Sequence, residues 1–267
     1  MSELPPIDTA LIDKFVPFAN AIRRYLRGRV VGIGHIPDGP ALLVGNHNAG
    51  ITFLEPVILG LAWHEHKLGE DGFYYLAHDS LMAMPGLGPL LAKGGAVPAS
   101  HEAARAVFEA GRKVAVWPGG NYEAFRPWRD RHRVDFGGHK GFLRLAIRNR
   151  VPIVPVLSLG GHDAYFVLSR GERLAEWTGM KRRFRSESFP VFVGLPWGLG
   201  VGPLFHVPLP VRTVVEVGEP IPVHEHPPEA AEDQDIVSEL YDLVVGTLQA
   251  MMDRQLAMRK WGAASDR

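Results

Sequence analysis

The chain has 267 residues, is 46% hydrophobic, and carries 29 Lys+Arg against 29 Asp+Glu, so its formal net charge is zero. That length supports a sizeable core, and the missing basic footprint argues against nucleic acid as a partner. With no cysteine, disulfides, thiolate metal sites and a cysteine nucleophile are excluded.

Residues 7–26 read as an amphipathic helix. Leu11, Phe15, Phe18, Ile22, Tyr25 and Leu26 recur at three- and four-residue spacings, and Arg23, Arg24 and Arg27 cluster at the end. Two readings stand together: a helix packed on the core with a basic end that suits its dipole, and a helix lying on a membrane surface. The first six residues lack the basic-then-apolar order of a secretory signal.

Residues 41–45 form a short apolar run, expected as a buried strand that ends at Asn46-His47. A helix is expected over 53–64, a strand over 73–77, a turn-rich connector over 81–93 and a short strand over 96–98. Ser100 is a good N-cap for a helix over 101–110, closed by Gly111. A strand over 114–117 runs into Pro118-Gly119-Gly120. A helix follows over 142–148, then the strongest strand signal, 151–159, which ends at Gly160-Gly161. Another strand is expected over 211–217, and a last helix over 233–259. Strands alternating with helices predict an α/β fold, a single domain whose central, mostly parallel sheet is flanked by helices. No run reaches the ~18–20 uninterrupted apolar residues of a membrane-spanning helix. Residues 190–210 come nearest but are broken by prolines and glycines, and are expected as a loop against a membrane or a lipid.

Two polar features sit where strands end. In the first, Gly45-Asn46-His47 leads through a glycine-bearing loop to Glu55. Imidazole takes up a proton near neutral pH, and a carboxylate can fix its tautomer. Spacing alone equally suits a loop His and an unrelated Glu at a helix start. In the second, Trp117-Pro118-Gly119-Gly120-Asn121-Tyr122-Glu123-Ala124-Phe125-Arg126 places paired glycines after a strand. Such glycines let backbone N–H groups approach an oxyanion, or simply make a tight turn.

Taken together, these features resemble the lysophospholipid acyltransferase superfamily over about residues 46–161, and weakly on to 220. Founding members carry Asn-His-x4-Asp, then Phe-Pro-Glu-Gly-Thr-Arg, then a Val-Pro-Ile-Val-Pro-Val-like strand, which here reads Val151-Pro152-Ile153-Val154-Pro155-Val156. The acid lies eight residues after His47 rather than five. The glycine block is closer to the Gly-Gly-x-x-Glu of the branch resembling diacylglycerol acyltransferases. The arginine that usually ends the second block is absent from Gly95-Ala96-Val97-Pro98-Ala99-Ser100.

The resemblance implies an O-acyltransferase that moves a fatty acyl group from acyl-CoA or acyl-carrier protein to a hydroxyl of a glycerolipid or related lipid alcohol. His47 would be the general base, Glu55 its partner, and Gly119, Gly120, Glu123 and Arg126 substrate-binding candidates. No metal and no further cofactor are implied. The apolar face of residues 7–26 with its arginines and the apolar stretch 190–210 lead to an expected attachment to a membrane surface, peripheral or monotopic, on the cytoplasmic face. The expected organisation is an N-terminal helix over 1–30, an acyltransferase domain over 31–225 and a C-terminal helix over 226–267 packed on that domain. A lipid-binding protein with a decayed motif and a lipid hydrolase are the alternatives, although no Gly-x-Ser-x-Gly elbow supplies a hydrolase nucleophile.

Three other clusters stand out. His64-Glu65-His66 reads as a solvated helix end rather than a metal pair. Gly160-Gly161-His162-Asp163 offers a His beside an acid. Lys181-Arg182-Arg183 with Arg185 reads equally as a solvated loop or as a contact for anionic lipid or CoA phosphates.

Overall fold

The computed structural model describes residues 4–47, 50, 54–66, 73–180 and 188–265, with side chains to 259. The basic cluster at Lys181, Arg182, Arg183 and Arg185 lies outside them. Among the described residues, seven strands form one sheet in the order β1-β10-β6-β2-β5-β3-β4. They are β1 (Arg29–Val31), β2 (Leu42–Gly45), β3 (Tyr74–Ala77), β4 (Ala96–Pro98), β5 (Val114–Val116), β6 (Ile153–Leu159) and β10 (Val214–Val217). Every neighbouring pair is parallel except β10 with β6. The α/β expectation is borne out.

Strand periodicity builds the two layers. Leu42 and Val44 point to one face, Leu43 to the other. The first face is covered by helices α5 (His101–Glu109), α7 (Gly141–Arg148) and α9 (Gln234–Ser265). In α9, Val237, Leu240, Val244, Leu248, Met251 and Met252 keep a three- to four-residue spacing and are all buried. On the other face, Ile58, Leu59 and Trp63 of α2 (Leu54–Glu65) pack over Leu43, Val154 and Val215. Each such buried side chain contributes about 1.5–3 kcal/mol. Helix α1 (Thr9–Tyr25) is capped by Asp8, whose Oδ1 accepts from Leu11 N at 2.9 Å. It lies on this face with Ile22 against the core.

Two expectations need correction. The 81–93 connector contains two short helices, α3 (Asp79–Met82) and α4 (Leu87–Lys93). His78 caps the first, Gly86 is the N-cap of the second, and Gly88 lies inside the second instead of preventing it. The 190–210 stretch is not a loop but holds a hairpin, β8 (Val191–Gly194) and β9 (Gly198–Val201). This hairpin joins β7 (Phe166–Ser169) in a small antiparallel sheet. Its prolines and glycines sit mostly at the turns and ends, where they cost no ladder bonds. Phe192 anchors it on Phe125, Tyr165 and Val167.

Candidate active site

Three adjacent parallel strands, β6-β2-β5, end at one edge of the sheet. From β2 the chain builds β3, β4 and β5 on one side, then crosses to β6 on the other. Such a switch point opens a crevice outside the carboxyl ends of the strands. Each strand delivers one polar motif there: β2 gives Asn46-His47, β5 gives Trp117 to Gly120, and β6 gives Gly160 to Asp163.

His47 is buried, and its Nδ1 lies 3.4 Å from Oε1 of the buried Glu55. Glu55 sits in the first turn of α2, so it occupies a helix-start position that suits an acid and also faces the imidazole. Glu55 thus faces Nδ1, one of the two ring nitrogens of His47.

The glycine block reaches the same histidine by its main chain. Glu123 belongs to the short helix α6 (Gly120–Ala124). Its Oε2 accepts from the backbone N–H of His47 at 2.8 Å, and its Oε1 accepts from Arg126 Nη2 at 2.5 Å. Both side chains are fully buried. Burial pushes the Glu123 carboxyl above its usual range, against the pull of the Arg126 guanidinium and the His47 N–H. The fold of this carboxylate explains Gly119: a Cβ there would lie 2.6 Å from Glu123 Oε2. The Gly120 N–H donates to Trp117 O within the turn, at 3.2 Å.

Other residues also hold the histidine loop. Asn46 donates to Ser158 O at 2.9 Å and accepts from Ser158 N at 2.7 Å, stapling the end of β2 to β6. The ring of His162 donates from Nε2 to His47 O at 3.2 Å, since a carbonyl can only accept. Burial, reinforced by Arg126, pushes the pKa of His162 down to about 3, so the ring is neutral. Trp117 lies beside His47 with ring centres 6.1 Å apart. The only sequence signal for these contacts was position, each residue lying at or beside a strand end.

The structure thus brings His47, Glu55, Glu123 and Arg126 together, with Gly119 and Gly120 at the same edge. The acids of two other clusters pair elsewhere. His64 and Glu65 end α2 at the surface and face α1, Glu65 pairing with Arg23 at 2.7 Å and His64 approaching Asp13 at 3.7 Å. Asp163 binds Arg131, His132 and Arg259 at 3.1, 3.0 and 2.9 Å. Burial raises its pKa, but His132 and Arg259 outweigh that and hold it at about 2. Among the described residues no three His, Asp or Glu side chains form a metal cluster.

A family model described as Acyltransferase matches residues 27–158. An uncharacterized protein of Mycobacterium tuberculosis is 30% identical over 257 residues, which are 96% of this chain and 68% of that protein. The human 2-acylglycerol O-acyltransferase 3 is 32% identical over 131 residues, 45% of this chain and 36% of its own. In fold, the chain is similar to the crystal structure of the 1-acyl-sn-glycerophosphate (LPA) acyltransferase PlsC from Thermotoga maritima. The TM-score is 0.55 at 17% identity, over 92% of this chain and 80% of that one.

Proposed function

The chain belongs to the acyltransferase family, and from that premise we propose that it moves a fatty acyl group from a thioester onto a lipid hydroxyl, with His47 as general base. The observation that carries the reading is the buried Glu55 carboxylate 3.4 Å from His47 Nδ1, at the edge where three motif-bearing strands end. An intact pair of this kind supports an enzyme over a decayed binding protein.

In the proposed step, His47 Nε2 takes the proton of the acceptor hydroxyl as its oxygen attacks the thioester carbonyl. Glu55 stabilises the imidazolium that forms. The tetrahedral oxyanion is held by N–H donors at the Gly119 turn, Gly119 in preference to Gly120, whose N–H is engaged with Trp117. Collapse expels the thiolate, which takes the proton back from His47, leaving ester and thiol. No acyl-enzyme is required. The donor is acyl-CoA or acyl-carrier protein.

The acceptor is an uncharged glycerolipid. Arg126 is the nearest candidate for a phosphate, but it is 1% exposed and already bonded to Glu123. A relative that by its name acts on 2-acylglycerol supports the same reading. Among the described residues no helix is long and apolar enough to cross a membrane; attachment is proposed as peripheral or monotopic, on the cytoplasmic face. The test is thioester consumption with and without a panel of acceptors, with products read by lipid mass spectrometry. Ester that forms only with a glycerolipid acceptor supports the proposal. Free acid alone, or no turnover, overturns it.

A further inference from the structure

From Phe189 to Val211 the sequence contains no Asp, Glu, Lys or Arg. This stretch is the β8–β9 hairpin and the strap after it. Phe192 turns inward, while Leu195, Trp197, Leu199 and Phe205 are 55, 53, 66 and 62% exposed. A face this apolar costs free energy in water and calls for a cover.

Its polar groups indicate which cover. Inside hydrocarbon each backbone N–H and C=O must be satisfied by the protein itself. Strand β8 is paired on both sides, by β7 and β9. Past the turn, Val207 N donates to Leu195 O at 2.8 Å, and Trp197 Nε1 donates to Phe205 O at 2.5 Å. Strand β8 and the strap beside it thus satisfy these backbone groups within the protein, while β9 forms the sheet's outer edge, and the tip presents side-chain hydrocarbon outward.

Charge complements this at the rim. Tyr25, at the end of α1, donates to Pro208 O at 2.9 Å, beside the strap. Arg24, Arg27, Arg29 and Arg212 are all exposed around that junction. Arg29 N bonds Thr213 O, and Thr213 N bonds Leu26 O, fixing these residues as neighbours. Phe18, seven residues before Tyr25 on the same helical stripe, is 62% exposed. An apolar tip with an arginine border matches a bilayer interface carrying anionic headgroups.

Position links the tip to the chemistry. His206, on the strap, stacks on Tyr165 with ring centres 3.7 Å apart. Both press on Gly50, where a Cβ would lie 2.8 Å from His206 Cε1. Gly50 is three residues after His47.

We infer that the β8–β9 hairpin and its strap are a bilayer-docking element, entering an anionic membrane with Leu195, Trp197, Leu199 and Phe205 while the arginines meet headgroups. It seats the His47 crevice at the membrane surface. The inference deepens the acyltransferase reading, which it needs only to explain why the crevice should face lipid.

The test is sedimentation with vesicles of phosphatidylcholine, alone and with phosphatidylglycerol, for wild type and the triple variant Trp197→Ser, Leu199→Ser, Phe205→Ser. Losing one large apolar contact weakens binding roughly tenfold. The triple variant is expected to bind mixed vesicles at least about a hundredfold more weakly and to lose the lipid-induced blue shift of tryptophan emission. Its melting temperature and its turnover of a water-soluble short-chain acceptor stay as in wild type. Unchanged vesicle binding overturns the inference. So does a lipid-free wild-type dimer that the substitutions split, because the face would then join two copies. Failure of the acyltransferase reading is separately visible as no transfer to the soluble acceptor by either protein, whatever the vesicles show.

Discussion

The carboxylate of Glu123 accepts a hydrogen bond from the main-chain N–H of His47 at 2.8 Å, across 76 positions of sequence. The acid that the glycine block supplies therefore holds the histidine loop, and Arg126 completes its coordination from the other side. Glu123→Gln keeps the shape but leaves the Arg126 charge buried without its partner. Breaking a buried pair in this way costs about 3–5 kcal/mol. At about 2–4 °C per kcal/mol for a chain of this size, the melting temperature should fall by roughly 6–20 °C. Displacement of the loop should lower kcat about a hundredfold. Unchanged melting and turnover would remove Glu123 from the site.

Ring and main chain of His47 are held by different acids, which separates two variants. His47→Ala should lower turnover by about 10²–10⁴-fold, the usual contribution of a general base, with the circular-dichroism spectrum unchanged. Glu55→Gln keeps volume at 3.4 Å from Nδ1 and loses only charge, so its loss should be smaller and fall on kcat. Normal turnover of purified His47→Ala would end the assignment.

The parts of this site legible in the sequence were those carried by strand ends. The apolar runs of β2, β5 and β6 fixed where the chain would stop and turn, and His47, Glu123 and Gly160 follow those stops. The sequence could not give the order β6-β2-β5, because parallel pairing is set by tertiary contacts with no local signature. Glu123 was therefore legible as a candidate but not as the acceptor for the His47 N–H. The role of His162 was hidden for the same reason. Strands β1 and β7 were not read from the sequence; both lie at sheet edges and are mostly unburied. The β8–β9 hairpin was hidden by its prolines and glycines, which read as loop until Phe192 is seen packed on Tyr165.

His162 makes stability depend on acid. Its ordinary pKa of 6.5 is pushed to about 3 in the fold, so the native state favours the neutral ring. That contribution is fully present above pH 6.5 and is lost progressively as pH falls from 6.5 towards 3. Asp163, held at about 2 against its ordinary 3.8, adds a loss only below 3.8. His162→Gln keeps a donor for His47 O but does not titrate. In thermal melts from pH 7 to 3, wild type should lose stability steeply from about pH 6, while the variant should stay flat until about pH 4. Parallel curves would show that protonation of His162 does not couple to unfolding.

The proposed uncharged acceptor is tested at Arg126. A phosphomonoester needs paired, charge-assisted donors, and the sequence has Ser100 and Tyr122 where the two blocks it resembles end in arginine. Ser100 spends its hydroxyl capping α5, accepting from Ala103 N at 3.1 Å, and Tyr122 donates to Asp135. Arg126 lies behind Glu123, fully buried, and gives Nη2 to that carboxylate. A phosphate recruited to it would have to enter beside the Glu123 carboxylate and be desolvated there, at a cost of several kcal/mol. Wild type should therefore prefer monoacylglycerol to lysophosphatidic acid by at least about tenfold in kcat/KM. Arg126→Lys, which keeps the charge opposite Glu123 but loses the fork, should lower both rates together through the His47 loop and leave the ratio unchanged. A wild-type preference for lysophosphatidic acid that collapses in Arg126→Lys would mean that the buried guanidinium turns from Glu123 to the acceptor, and the uncharged-acceptor reading would fall.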